Sequence, residues 1–293
     1  MTRNVRIFEV GPRDGLQNEK VLIPTQDKIA LIDIMSSAGF DRIEATSFVS
    51  PKWVPQLADA ADVMAGITRR PGVGYAVLTP NLKGFERAVA AGADEVAVFA
   101  SASEAFSQKN INCSISESLD RFAPLMEAAQ AADIPVRGYV SCAVECPYSG
   151  AVHPDQVRDV ALKLDGMGCY EISLADTIGR GQPQAVFAML ETVLDYIPPE
   201  RLAGHFHDTG GRALDNVAVA MELGLRTFDS AVGGLGGCPY APGAKGNLST
   251  RALVCFLEAC GLRTGIDLAI LSEAERLVTS LTRDPVRSEE QTA

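Results

Sequence analysis

Eight short runs rich in apolar and β-branched residues recur along this 293-residue chain, most followed by a polar loop and a stretch with helical spacing. Residues 5–10 (VRIFEV) read as a first strand and 11–20 (GPRDGLQNEK) as the loop after it. Residues 25–38 carry Ile29, Ile32 and Met35 at helical spacing, and Gly39 supplies a stop. Further strands are expected at 42–48, 73–78, 95–100, 136–142, 170–174, 202–207 and 227–232, with helices between them such as 82–91 and 185–196. This alternation, in a chain of this length, predicts a (β/α)8 TIM barrel with its chemistry at the C-terminal ends of the strands. An open doubly wound sheet shares the alternation. No Gly-x-Gly-x-x-Gly follows the first strand, however, which argues against a dinucleotide-binding version. No Pro/Ser-rich linker divides the chain, so residues 1–283 are expected to form one catalytic barrel and the polar 284–293 a short C-terminal tail.

Composition narrows the partners. Hydrophobic residues make up 47% and charged residues 22%, enough for a sizeable core. The net charge of -11 argues against nucleic acid and anionic membrane surfaces, both of which reward basic patches. It leaves room for a local basic pocket that takes an anionic ligand. Seven cysteines, with neither a signal peptide nor an apolar run of membrane-spanning length, fit a reduced, cytoplasmic chain.

The run Gly204-His205-Phe206-His207-Asp208 holds two of the three histidines. On a strand, residues two apart share a face, so both imidazoles converge. Alone, the pair reads equally well as a hydrogen-bonded strand end. Other polar residues fall at predicted strand ends too: Arg13 and Asp14, Glu44 and Ser47, Tyr139 and Ser141, and Asp176. Gathered on one rim, Asp14, His205 and His207 offer oxygen and nitrogen donors suited to Mg²⁺, Mn²⁺, Co²⁺ or Zn²⁺. After the last predicted strand comes a glycine-rich loop from Gly233 to Asn247 that contains Cys238. Such a loop can approach a ligand closely or can simply connect. Cys238 is a candidate nucleophile or proton donor. Asn247 is a candidate amide-oxygen ligand, with a helix N-cap as its ordinary alternative.

With these residues in view, the chain resembles the 3-hydroxy-3-methylglutaryl-coenzyme A lyase family, within the metal-dependent lyase and Claisen-condensing barrel superfamily. The resemblance runs from about residue 5 to 265 through EVGPRDGLQNEK, ATSFVSPKWVPQ, VLTPNLKGFERAVAAGA, KNINCSI, RGYVSCAVECPY, GCYEISLADTIG, HFHDT and GGLGGCPYAPGAKGN, in order. It implies Asp14, His205, His207 and Asn247 as metal ligands, with Mg²⁺ or Mn²⁺ as the divalent cation. It implies Arg13 as a substrate contact and Cys238 as the reactive cysteine. Glu44, Ser47, Tyr139, Ser173 and Asp176 match other active-site positions, and Lys20 and Asn110 match conspicuous polar ones.

The implied reaction breaks the C2–C3 bond of a 3-hydroxy-3-methylglutaryl thioester. Asp176 is the first candidate for the base that deprotonates the C3 hydroxyl, with His205 the alternative. The implied partner is an acyl-CoA thioester, and a homodimer is expected from the same resemblance. Two departures bear on the acyl group. Gly210 stands where the family has an aromatic residue, and Arg251 stands where it has an acidic one. Spacing puts Arg251 on one helical face with Asn247, so both departures are expected to enlarge or recharge the pocket or else to be neutral. A longer 3-hydroxy-3-acylglutaryl thioester or citramalyl-CoA is then the alternative substrate. A condensing synthase and a barrel that only binds are the competing functions.

Overall fold

The computed structural model describes residues 5–236 and 246–282. Its strands are β1 (Arg6–Glu9), β2 (Arg42–Ser47), β3 (Gly74–Leu78), β4 (Glu95–Ser101), β5 (Val136–Ser141), β6 (Glu171–Asp176), β7 (Leu202–Phe206) and β8 (Thr227–Ser230). All eight pair in parallel and close on themselves: Glu9 lies beside Ser230 of β8 on one side and Ile43 of β2 on the other. Closure settles the choice between barrel and open sheet, and the expected TIM barrel is what forms. A two-residue hairpin (Glu145–Cys146 with Gly150–Ala151) decorates the loop after β5.

The helices are α1 (Thr25–Ser37), α2 (Ala60–Gly66), α3 (Leu82–Ala90), α4 (Glu104–Ile111), α5 (Ile115–Ala131), α6 (Pro154–Gly166), α7 (Pro183–Leu194), α8 (Ala213–Glu222), α9 (Thr250–Ala259) and α10 (Leu268–Thr282). Local sequence sets their ends. Asn81 accepts the Gly84 N–H at the start of α3, and Ser114 and Glu117 form a reciprocal capping box on α5. After α1, Gly39 adopts φ +100°, and a Cβ there would collide with the Gly265 carbonyl oxygen, so the predicted stop is a true glycine position. No helix among the described residues is long and apolar enough to cross a membrane.

Strand alternation sorts side chains into two layers. On β6, Ile172 and Leu174 are fully buried in the apolar core, each worth roughly 1.5–3 kcal/mol on burial. The alternate residues Glu171 and Ser173 point into the barrel, where they meet Arg137 of β5 and Asp229 of β8. The barrel interior is therefore partly ionic, and the functional rim stands on that layer.

One segment departs from the expected loop. Gly11–Gly15 winds into a single wide helical turn, with the N–H groups of Asp14 and Gly15 both bonded to the Val10 carbonyl at 2.8 and 3.2 Å. That turn sets Arg13 and Asp14 side by side over the barrel mouth. The proposed tail at 284–293 lies outside the described residues.

Candidate active site

A cavity of about 780 Å³ opens at the C-terminal ends of the strands. Arg13, Asp14, Tyr139, Ser141, His205 and His207 line its floor end, and Lys109, Asn110 and Arg121 line the wall formed by α4 and α5. Leu78, Phe99, Phe106 and Phe122 make part of that wall apolar.

At the floor, the Nε2 atoms of His205 and His207 each stand 3.9 Å from Asp14 Oδ2. Neither contact is a hydrogen bond at that length. The three donor atoms lie within 4.8 Å of one another, and both rings are almost fully buried. One carboxylate oxygen and two imidazole nitrogens facing a common point fit a divalent cation in number and type. Burial, and then the neighbouring His205 ring, lower the His207 pKa to about 4, which keeps this imidazole in its ligating neutral form. Burial works against the Asp14 carboxylate, yet Arg13 and the two histidines hold it well below the ordinary carboxylate range.

The second layer explains why these atoms stand where they do. Asp14 Oδ1 accepts from Arg13 Nη1 at 2.5 Å and from Gln17 Nε2 at 3.2 Å. Arg13 Nε donates to Glu44 Oε2 at 2.6 Å. Burial pushes the Glu44 carboxyl up against the pull of Arg13, and its other oxygen, Oε1, is buried without a partner among the described residues. His205 Nδ1 lies 3.1 Å from Asp229 Oδ2, an oxygen that also accepts from Ser173 Oγ at 2.8 Å. Arg137 closes on both oxygens of Asp229 at 2.7 and 3.1 Å. Burial would raise the Asp229 pKa, but Arg137 and the His205 bond hold it at about 2. Arg137 Nη1 also donates to the Tyr139 hydroxyl at 2.9 Å.

Of the residues singled out from sequence, the structure brings together Arg13, Asp14, Glu44, Tyr139, Ser173, His205, His207 and Asn247. Asn247 arrives by its amide nitrogen, which donates to Asp14 Oδ2 at 2.7 Å and to the Leu235 carbonyl at 3.2 Å. Ligation through its oxygen takes a half-turn of that amide. It is not the N-cap either, because α9 begins at Thr250 behind Ser249. Asn110 lies on the cavity wall. Ser47 is buried and takes the Val49 N–H at 3.1 Å, a turn contact off the cavity wall. Lys20 is exposed and also off the wall. Cys238 lies outside the described residues.

One expectation needs correction, and of the two departures neither lines the cavity. Asp176, the first candidate for the base, has the opposite strand parity from Ser173, so its side chain leaves the barrel interior. Its Oδ2 caps the Gly181 N–H at 2.8 Å in the following loop, and burial raises its pKa to about 6. Arg251 does not face the site. Its guanidinium crosses to α10, where Nε and Nη2 donate to Glu275 at 2.7–3.0 Å and Nη2 donates to Ser272 Oγ at 2.8 Å. Gly210 likewise lies off the cavity wall. Its N–H bonds the Gly179 carbonyl at 2.8 Å, and a Cβ would stand 2.9 Å from that oxygen, so glycine lets the two loops close together.

Arg137 and Asp229 were missed. Their signal was a charged residue inside a predicted strand, Arg137 within 136–142 and Asp229 within 227–232.

Barrel closure, a rim cluster of one carboxylate and two imidazoles, and an arginine beside it define a class, and comparison with known proteins gives that class a family. A family model described as HMGL-like matches residues 4–278, and the chain belongs to that family. A mouse (Mus musculus) hydroxymethylglutaryl-CoA lyase, mitochondrial, is 60% identical over 274 residues, covering 94% of this chain and 84% of that one. A Pseudomonas aeruginosa 3-hydroxy-3-isohexenylglutaryl-CoA/hydroxy-methylglutaryl-CoA lyase is 55% identical over 281 residues, covering 96% and 94%. The crystal structure of the HMG-CoA lyase from Brucella melitensis superposes with a TM-score of 0.95 at 59% identity, covering 97% of this chain and all of that one.

Proposed function

We propose that this carbon–carbon lyase cleaves 3-hydroxy-3-methylglutaryl-CoA to acetyl-CoA and acetoacetate, using a divalent cation held by Asp14, His205 and His207. The observation that carries the reading is the convergence of those three donors beside Arg13 at the floor of one cavity. Asn247 is the fourth ligand in this reading, and Mg²⁺ or Mn²⁺ suits the oxygen-containing set. When bound, the cation supplies acidity to the C3 hydroxyl and a template for its orientation.

The chain's own groups do the rest. Arg13 has Nε and one N–H of Nη1 committed to carboxylates, which fixes the guanidinium and leaves Nη2 and the second N–H of Nη1 as donors for the thioester oxygen as charge builds there. Burial raises the Tyr139 pKa well above its usual value, so the phenol stays neutral and acts as a donor. With Asp176 turned away, we place removal of the hydroxyl proton at the Asp14–His205–His207 cluster. The C3 carbonyl forms as the C2–C3 bond breaks, the bonding pair passes into the thioester enolate, and C2 then takes a proton. Cys238 is assigned that proton by the family resemblance. Lys109 and Arg121, on the far wall, suit the anionic end of coenzyme A despite the acidic chain.

A second substrate has an observation in its favour. The apolar wall of Leu78, Phe99, Phe106 and Phe122 suits a C3 substituent longer than methyl, such as the isohexenyl group in the name of the Pseudomonas relative. We further assign the protein to the cytoplasm, the place in the name of one relative 58% identical to it. A homodimer that engages neither nucleic acid nor membrane completes the reading.

The test is a coupled acetyl-CoA assay on chelated enzyme, repeated with added Mg²⁺ or Mn²⁺. Cleavage lost on chelation and restored by the ion is the expected result. A folded, ion-loaded protein that cleaves only the isohexenyl substrate would replace the methyl assignment, and one that cleaves neither would overturn the reading.

A further inference from the structure

His205 and His207 face the same point with their Nε2 atoms, yet their other nitrogens differ. His207 Nδ1 is buried with no hydrogen-bond partner among the described residues. His205 Nδ1 meets Asp229, and Asp229 meets little else but donors: Arg137 Nη1 and Nη2, Ser173 Oγ and His205 itself. An ionised carboxylate can only accept. The contact at 3.1 Å therefore requires a proton on His205 Nδ1, so that in the neutral imidazole the Nε2 lone pair is the one aimed at Asp14.

We infer that Asp229, clamped by Arg137, is a positioning residue that fixes His205 in the Nδ1–H tautomer and so gives the rim cluster a ligating nitrogen of set direction. The inference rests on the proposed metal site only for its consequence. The tautomer itself follows from the hydrogen bonds. Carboxylates behind metal-bound imidazoles commonly work this way, and losing one typically lowers metal affinity about 10- to 100-fold.

Arg137 supplies the internal control. Its Nε holds Glu171 Oε1 at 2.8 Å on the side away from Asp229's histidine. Glu171→Gln loosens the same buried ionic layer without touching His205. Asp229→Asn keeps the shape but can present an amide N–H where Oδ2 stood. That N–H would make His205 Nδ1 an acceptor and drive its proton to Nε2, the atom needed for ligation.

The experiment is ¹⁵N NMR of the imidazoles, readable in a chain with three histidines, together with Mn²⁺ titration of each metal-free protein. Expected are Nδ1–H on His205 in the native chain and in Glu171→Gln, Nε2–H in Asp229→Asn, and a 10- to 100-fold weaker Mn²⁺ affinity in Asp229→Asn alone. Either of two results would overturn the inference: Nε2–H on His205 in the native chain, or Mn²⁺ affinity lost equally in both variants in step with their melting temperatures. The first needs no variant, so a poorly folding Asp229→Asn cannot shelter the idea. A native chain that takes up no Mn²⁺ would sink the metal site instead, while the tautomer would still decide the role of Asp229.

Discussion

Two arginines lie against the ring of Tyr139, Arg13 with its Cζ 5.6 Å from the centroid and Arg137 with its Cζ at 5.0 Å. Each is bound by two carboxylates: Glu44 and Asp14 for the first, Glu171 and Asp229 for the second. They differ in what is left over. Arg137 sits on a strand with no exposure, and its Nε, Nη1 and Nη2 are all bonded. Arg13 sits on a helical turn at the mouth and lines the cavity. Its partners keep unused capacity: Glu44 Oε1 has no partner among the described residues, and Asp14 Oδ2, beyond the bond it takes from Asn247, faces the two histidines. The same ionic chemistry is scaffold where all three guanidinium nitrogens are bonded and reactive where some groups are spare.

The sharpest way to break that contrast is one substitution made twice. Arg137→Lys keeps a charge but loses the fork that grips Asp229, stranding buried carboxylate oxygens. A stability loss of about 3 kcal/mol or more is expected, seen as a drop of roughly 10 °C in melting temperature. Arg13→Lys should melt within a few degrees of the native protein while kcat/KM falls about 100- to 1000-fold, the scale of losing a donor at developing charge. Calorimetry and steady-state kinetics on the pair decide it. Matching stability losses would erase the distinction between scaffold and reactive arginine.

A third buried carboxyl site lacks an arginine altogether and shows what the other two clusters avoid. Glu9 takes its bonds from the Gly11 and Val232 N–H groups and the Thr250 hydroxyl, at 2.9, 2.8 and 2.6 Å. Burial raises its pKa from 4.5 to about 7, against the pull of those donors. A folded value above the unfolded one means the fold prefers the protonated acid. The stabilisation is complete below pH 4.5 and is lost as pH rises to 7. Glu9→Gln removes the titration, so the variant should gain on the native chain from pH 5 to 8, by up to about 3 kcal/mol. Parallel stability curves across that range would show that neutral donors alone keep a buried carboxylate charged.

The barrel was legible because strand alternation and glycine stops are local. The rim cluster was legible because few residue types ligate metals. The Arg137–Asp229 pair was not, since its members lie 92 residues apart and only closure brings β5 and β8 together. Asp176 was misplaced for a simpler reason: it and Ser173 were both assigned to the site, yet three residues apart on one strand they face opposite ways. Arg251 was misplaced because a helix was extended back to Asn247, whereas α9 begins at Thr250.

Arg251 therefore offers the smallest effect and the cleanest outer reference for the comparison. It too is an arginine gripped by carboxylate oxygens, but its side chain is 37% exposed and it joins α9 to α10 outside the barrel. Solvent screens such a pair, so its loss is worth at most about 1 kcal/mol. Arg251→Glu sets like charges together against Glu275 and should lower the melting temperature by a few degrees at most, with kcat and KM unchanged. A shift in the ratio of rates on methyl and isohexenyl substrates would mean that the α9–α10 contact reaches the cavity. Unchanged ratios would confine spare ionic valence, and the chemistry it serves, to the turn that carries Arg13 and Asp14.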